Sequence, residues 1–204
     1  EQPKDEGILA HSGLTPDGIF QAFDKAYKQK NYEGAARELD VLLMDIRNGH
    51  HLESFPEAIL RSQMTVMRTP MKKLGWAPDI IHCQGWMTSL IPLYFKTIYK
   101  DEPVFRDAKV VYSVYHENCD SVLGDDFVRK ASLNSIDDAC LECYSDTSIN
   151  KIHVGAIQHA DGIVTACDEA HRTVESHLDG KLVMKHSDTN TEEEYVSFYE
   201  KLMS

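Results

Sequence analysis

Apolar positions along this chain follow a helical period at first, then shorten into strand-like runs separated by helices. Thr15-Pro16-Asp17 is a helix start, with a capping hydroxyl, a proline at the first position and an acid in the first turn. From 17 to 30, Ile19, Phe20, Phe23 and Tyr27 fall on one stripe. Asn31 breaks the pattern, and a second helix over 32–46 turns Ala35, Leu39, Leu42 and Leu43 inward before Asn48-Gly49 ends it. A third helix is predicted over 55–73. Strands are then predicted at 79–83, 109–115, 162–166 and 181–184, with helices over 86–99, 149–160 and 169–178 and an irregular, partly helical stretch at 120–146. The last helix, 191–203, opens with a capping Thr and three Glu at its positive end, and carries Tyr195, Phe198, Tyr199 and Leu202 on one face.

Strands alternating with helices predict an α/β fold: a Rossmann-like parallel sheet flanked by helices, with a helical segment at the N-terminus. The chain divides on this reading into a flexible start (1–14), a helical segment packed on the sheet (15–73) and the α/β domain (74–204). The region Leu74-Gly75-Trp76-Ala77-Pro78-Asp79-Ile80-Ile81-His82-Cys83-Gln84-Gly85-Trp86-Met87-Thr88 concentrates the candidate chemistry. Gly75 suits a helix end, Ile80-Ile81 a buried parallel strand, and His82, Gln84 and Gly85 a turn at that strand's carboxyl end. Ligands bind at the carboxyl ends of strands in open α/β sheets, which makes His82 a candidate ligand-facing side chain rather than a purely structural one. Trp86 is suited either to stacking on a sugar or to packing against the sheet.

This stretch resembles the W-x-P-D-[VI]-[VI]-H-x-H-D-W-x-[TA] segment of the glycogen and starch synthases. Lys109-Val-Val-Tyr-Ser-Val-Tyr-His116 resembles their next strand, which ends T-[IV]-H-N, and Ala160-Asp161-Gly162-Ile163 resembles their ADG[IV] step. The likeness covers roughly residues 70–180 and implies half of a glycosyltransferase B-type fold. The family chemistry it implies is glucosyl transfer from a nucleotide sugar to an α-glucan. It implies substrate-binding roles for His82, Gln84, Trp86 and Thr88, with no metal and no cofactor. The sequence departs from the family at the positions that matter for transfer. The family's second His and its Asp fall on Gln84 and Gly85, and the His of T-[IV]-H-N falls on Tyr115, with His116 one place late. A phenol is a poor proton acceptor near neutral pH, and glycine has no side chain. The K-x-G-G-L phosphate loop is echoed only by His11-Ser12-Gly13-Leu14, with no strand before it. No counterpart of the family's second, donor-binding domain is read here, so a complete enzyme implies a partner domain or a dimer. The K-x-x-x-Y-x-x-A-A pattern from Lys28 to Ala36 faintly resembles one tetratricopeptide unit, without a second copy.

The 204 residues carry 21 basic and 33 acidic side chains, a net charge of −12. That balance argues against a nucleic-acid backbone or an anionic membrane as partner. No run approaches transmembrane length and no signal-peptide pattern opens the sequence. Five cysteines, an odd number in core-like settings, suit reduced thiols in the cytoplasm. Cys140-x-x-Cys143 with Cys167 and His171 has the composition of a zinc site, and Cys140/Cys143 that of a redox pair, but buried free thiols are the plainer reading. His50-His51 suits a solvated turn, and His153 and His159 fall on different helix faces. Glu117, Asp120, Asp125 and Asp126 lack the spacing of a calcium loop. Three function classes follow: an active glucosyltransferase, a divergent or non-catalytic relative that binds nucleotide sugar or α-glucan, and a protein-interaction or regulatory module, with a protein partner or homo-oligomer possible in each. The losses at Gln84, Gly85 and Tyr115 favour the second.

Overall fold

The computed structural model describes residues 7–68, 77–117, 122–132, 136–187 and 191–204. Contacts divide the chain into two compact units, 1–76 and 77–204. The tail of the third predicted helix beyond Arg68 and the Gly75 stop lie outside the described residues.

The first unit is helical: α1 (Gly7–Ser12), α2 (Pro16–Lys28), α3 (Tyr32–Arg47) and α4 (Phe55–Arg68). Thr15 and Asn31 cap α2 and α3 by accepting from the backbone N–H of Gly18 and Gly34. Ile19, Phe20 and Phe23 of α2 and Ala35, Leu39, Leu42 and Ile46 of α3 are buried. Arg61 of α4 lays its guanidinium 4.4 Å from the Phe20 ring centroid and pairs with Asp24 at 3.3 Å. Residues 7–12 are helical where the sequence suggested a loose segment, and the reason is Asp45. This buried carboxylate accepts from Ile8 and Leu9 N–H, each at 2.8 Å, and so closes the start of α1. Burial alone would raise its pKa, but those two donors, with His50 and His51 nearby, hold it below the ordinary value.

The second unit is built on four parallel strands in the order β1 (Ile80–Gln84), β2 (Lys109–Val114), β3 (Gly162–Thr165), β4 (Leu182–Lys185). The register sets His82 beside Val111 and Gln84 beside Ser113, then Val111 beside Gly162 and Gly162 beside Leu182. Each strand pairs with the next in sequence, so right-handed crossovers stepping one way lay the connecting helices on one face. That face joins Cys83, Val110, Tyr112, Val114 and Ile163 to Ile91 and Phe95 of α5 (Ile91–Lys96), Ala156 and Ile157 of α8 (His153–His159), and Ala170 and Val174 of α9 (Asp168–Val174). The opposite face is covered by α10 (Glu192–Met203), whose Tyr195, Phe198, Tyr199 and Leu202 pack on Ile80, Val111, Val164, Leu182 and Met184. A reciprocal capping box between Thr191 and Glu194 starts α10. Between β2 and α8 lie two short helices, α6 (Phe127–Ala131) and α7 (Asp138–Leu141).

The predicted helix over 86–99 is interrupted. Trp86–Thr88 forms a single 3-10 turn, and Pro92, which has no N–H to donate, sits in the first turn of a new helix, α5. The Asp of the Ala160-Asp161-Gly162 step is structural. Its carboxylate accepts from Val110 N–H at 2.7 Å and Lys96 Nζ at 2.6 Å, fixing β3's start against β2. No helix among the described residues is long and apolar enough to cross a membrane.

Candidate functional site

Side chains alternate across a strand, so His82 and Gln84 of β1, Ser113 of β2 and Val164 of β3 all face α10. Toward the carboxyl ends of these strands that face opens into a cleft of about 490 Å³. Its floor is His82, Gln84, Ser113 and Val164; Tyr115, His116, Ala166 and Cys167 lie at the strand ends, and His186, Tyr195 and Tyr199 form the far wall. None of the described lining residues is a carboxylate, lysine or arginine. The surface offered to a ligand is hydroxyl, imidazole, amide and aromatic.

His82 is held at both ring nitrogens, Nδ1 by the Tyr199 hydroxyl at 2.8 Å and Nε2 by the Ser113 hydroxyl at 2.7 Å. Burial lowers its pKa, favouring the neutral ring. Both hydroxyl partners can donate or accept, so either tautomer is satisfied. Tyr195 holds His186 Nδ1 at 2.9 Å. At the mouth, Tyr115 is 40% exposed, so its phenol is open to a ligand. His116 turns Nε2 toward Glu169 of α9 at 3.6 Å.

Gly85 is bound to its conformation. At φ +73° and ψ 174° it occupies a region reserved for glycine. Its carbonyl accepts from Thr88 N–H at 3.1 Å, Thr88 Oγ1 at 2.9 Å and Tyr112 O–H at 3.1 Å. Of the residues singled out from the sequence, the fold brings His82, Gln84, Tyr115 and His116 together at the cleft. Thr88 serves the Gly85 turn, and Trp86 is buried at 5% exposure.

Ser113 and His186 escaped the sequence reading, and Cys167, Tyr195 and Tyr199 were not read as part of this binding site. Ser113 was legible in principle, since it shares the period-2 phase of a strand that pairs with His82's. The cysteines do not gather with His171. Cys143 Sγ lies 3.8 Å from His159 Nε2, while Cys167 caps α9 and His171 faces Thr165 at 3.3 Å. Among the described residues no group of His, Cys, Asp or Glu is arranged to hold a metal ion. Burial pushes the Cys83 thiol up to about 12 and Cys143 to about 11, which makes both poor nucleophiles. Asp120 lies outside the described residues. Asp126 pairs with Arg129 at 2.9 Å on the surface.

A profile of the starch synthase catalytic domain matches residues 49–184. The chain is 34% identical over 124 residues to a glycogen synthase of Pelodictyon phaeoclathratiforme, covering 61% of this chain and 24% of that protein. It is 32% identical over 173 residues to a glycogen synthase of Chlorobaculum tepidum, covering 83% and 33%. With that of Chlorobium chlorochromatii, identity is 39% over 72 residues, covering 35% and 14%. The chain thus spans a third or less of the length of these relatives. Matched over most of its parallel sheet and over the strand ends that form the cleft, the chain belongs to the starch synthase catalytic domain family, to which it is joined by its likeness to glycogen synthases.

Proposed function

We propose that this chain binds an α-glucan at the strand-end cleft and does not by itself transfer glucose. The observation that carries the reading is the lining. Donors and acceptors (His82, Gln84, Ser113, His186) stand beside the rings of Tyr115, Tyr195 and Tyr199, which suits a polyhydroxyl ligand with apolar ring faces. A volume of about 490 Å³ falls within the range of small-molecule sites. With no lysine or arginine among the described lining residues, a neutral glucan is favoured over a phosphate-bearing nucleotide sugar. Transfer is disfavoured because Gly85 and Tyr115 stand where the family resemblance implies an acid and an imidazole. The free thiols of Cys83, Cys140, Cys143 and Cys167 support a reducing, cytoplasmic setting.

The test is thermal unfolding with maltoheptaose, ADP-glucose, UDP-glucose and ADP. A ligand that binds only the native state raises its stability, by about 2.7 kcal/mol at a hundredfold excess over Kd. Stabilisation by maltoheptaose is the expected result. Stabilisation by the nucleotide sugars alone would transfer the proposal to the donor, and no stabilisation by any of the four would favour a protein-interaction module.

A further inference from the structure

Behind the cleft, on the face of the sheet that packs against α5, α8 and α9, two titratable side chains are buried together. Tyr112 is 0% and His153 1% exposed, and the Tyr112 hydroxyl lies 2.7 Å from His153 Nδ1. Neither lines the cleft, and neither was accounted for by the family resemblance. A position that only fills the core is served by Phe or Leu without the cost of burying polar atoms.

We propose that Tyr112 and His153 form a positioning pair that locks the Gly85 turn, and with it the Gln84 end of β1, in the geometry the cleft requires. The phenol has one proton, and the Gly85 carbonyl can only accept. At 3.1 Å the proton goes to Gly85. His153 Nδ1 must then supply the hydrogen of the 2.7 Å contact. The ring then carries its proton on Nδ1, and Nε2 is buried without a hydrogen-bond partner among the described residues. Burial pushes the His153 pKa down to about 4, opposed by the Tyr115 main chain and assisted by His116, so the ring is neutral near pH 7. A glycine-only backbone conformation survives where its surroundings over-determine it. The bond from Tyr112 ties the Gly85 carbonyl to β2, alongside the Gly85 N–H, which donates to the Ser113 carbonyl at 3.0 Å, whereas both bonds from Thr88 arise within the turn itself.

The consequence for ligand binding rests on the glucan-binding reading; the turn geometry does not, and the two are tested separately. Long-range ¹⁵N NMR of the imidazoles reads the tautomer, and amide exchange at Thr88, whose N–H is bonded to Gly85, reads the turn. The expected results are an Nδ1–H tautomer for His153 and exchange at Thr88 about fivefold faster in Tyr112→Phe, the equivalent of one hydrogen bond. His153→Asn places an N–H near the Nδ1 position and is expected to keep Thr88 protected, whereas His153→Leu is not. An Nε2–H tautomer, or unchanged exchange at Thr88 in Tyr112→Phe, overturns the proposal. Stabilisation by maltoheptaose is expected to be lost in Tyr112→Phe and kept in His153→Asn. Were the unsubstituted chain to show none, the glucan reading would fall while the NMR result still decided the positioning role.

Discussion

Replacing Gly85 by Ala probes the turn on which the cleft depends. A Cβ built on Gly85 meets only Tyr115 Cδ2 at 3.8 Å, an ordinary contact, so the neighbours exact nothing. The cost lies in the backbone. At φ +73° and ψ 174° an L-residue is strained by about 1–3 kcal/mol. Opposing this, Ala restricts the unfolded chain and at a compatible site stabilises by about 0.4–1 kcal/mol. Strain wins, and a net loss of about 1–2 kcal/mol is expected. Urea unfolding measures it as a lower midpoint at unchanged m-value, with Tm falling by several degrees. The sign is decisive. If Gly85→Ala were neutral or stabilising, the turn would not hold positive φ, and the account of how the β1 end is presented to the cleft would fail. An aspartate restored at this position meets the same backbone cost, so Gly85→Asp is expected to be destabilised as well.

Three further outcomes follow from the packing. His153 titrates at about 4 when folded against an ordinary 6.5, so between those values the unfolded chain binds more protons and stability falls as pH falls. The loss is complete below about pH 4, amounts to roughly 3 kcal/mol, and is expected to flatten in His153→Asn when urea midpoints are compared from pH 4 to 7. Gly155→Ala drives a methyl into the ring of Tyr144, whose hydroxyl is held by the Ser89 carbonyl at 2.8 Å and whose side chain is fully buried. Overpacking of about 1–3 kcal/mol outweighs the gain in helix propensity of up to about 1 kcal/mol, so urea unfolding is expected to show a net loss. Asp45→Ala leaves two backbone donors of α1 unsatisfied, with an expected loss of about 1–3 kcal/mol and faster amide exchange at Ile8 and Leu9; protection unchanged there would refute the capping role.

The sheet was legible because its strands are short β-branched runs, Ile80-Ile81, Val110-Val111 and Ile163-Val164, set between turn residues and helical periods. The helix after β1 was overextended because its apolar residues continue through Pro92 without a change of period. Half of the cleft was legible, namely the half that lies next to its strand in sequence. His82 and Gln84 follow from the strand-end rule, but their far wall comes from α10, and Tyr199 is 117 residues from His82. Tyr195 and Tyr199 were counted to the apolar stripe, since a tyrosine ring packs as a hydrophobe while its hydroxyl seeks a polar partner that only the fold supplies. The Asp45 cap escaped for the same reason: one acid among four in an amphipathic helix gives no sign that another helix will begin against it. His153 was read only as a helix-face residue, because its partner Tyr112 looks like an ordinary aromatic of a buried strand.

The central claim is that the family's sheet and cleft persist here as a binding site without the transfer chemistry. The most direct measurement incubates the chain with ADP-glucose labelled in the glucose and maltoheptaose, following both glucan bound at equilibrium and label appearing in longer glucan. The account predicts saturable binding of maltoheptaose and no incorporation of label above the protein-free control. Incorporation that rises with the amount of chain added would contradict it, and would show that Gly85 and Tyr115 do not abolish transfer.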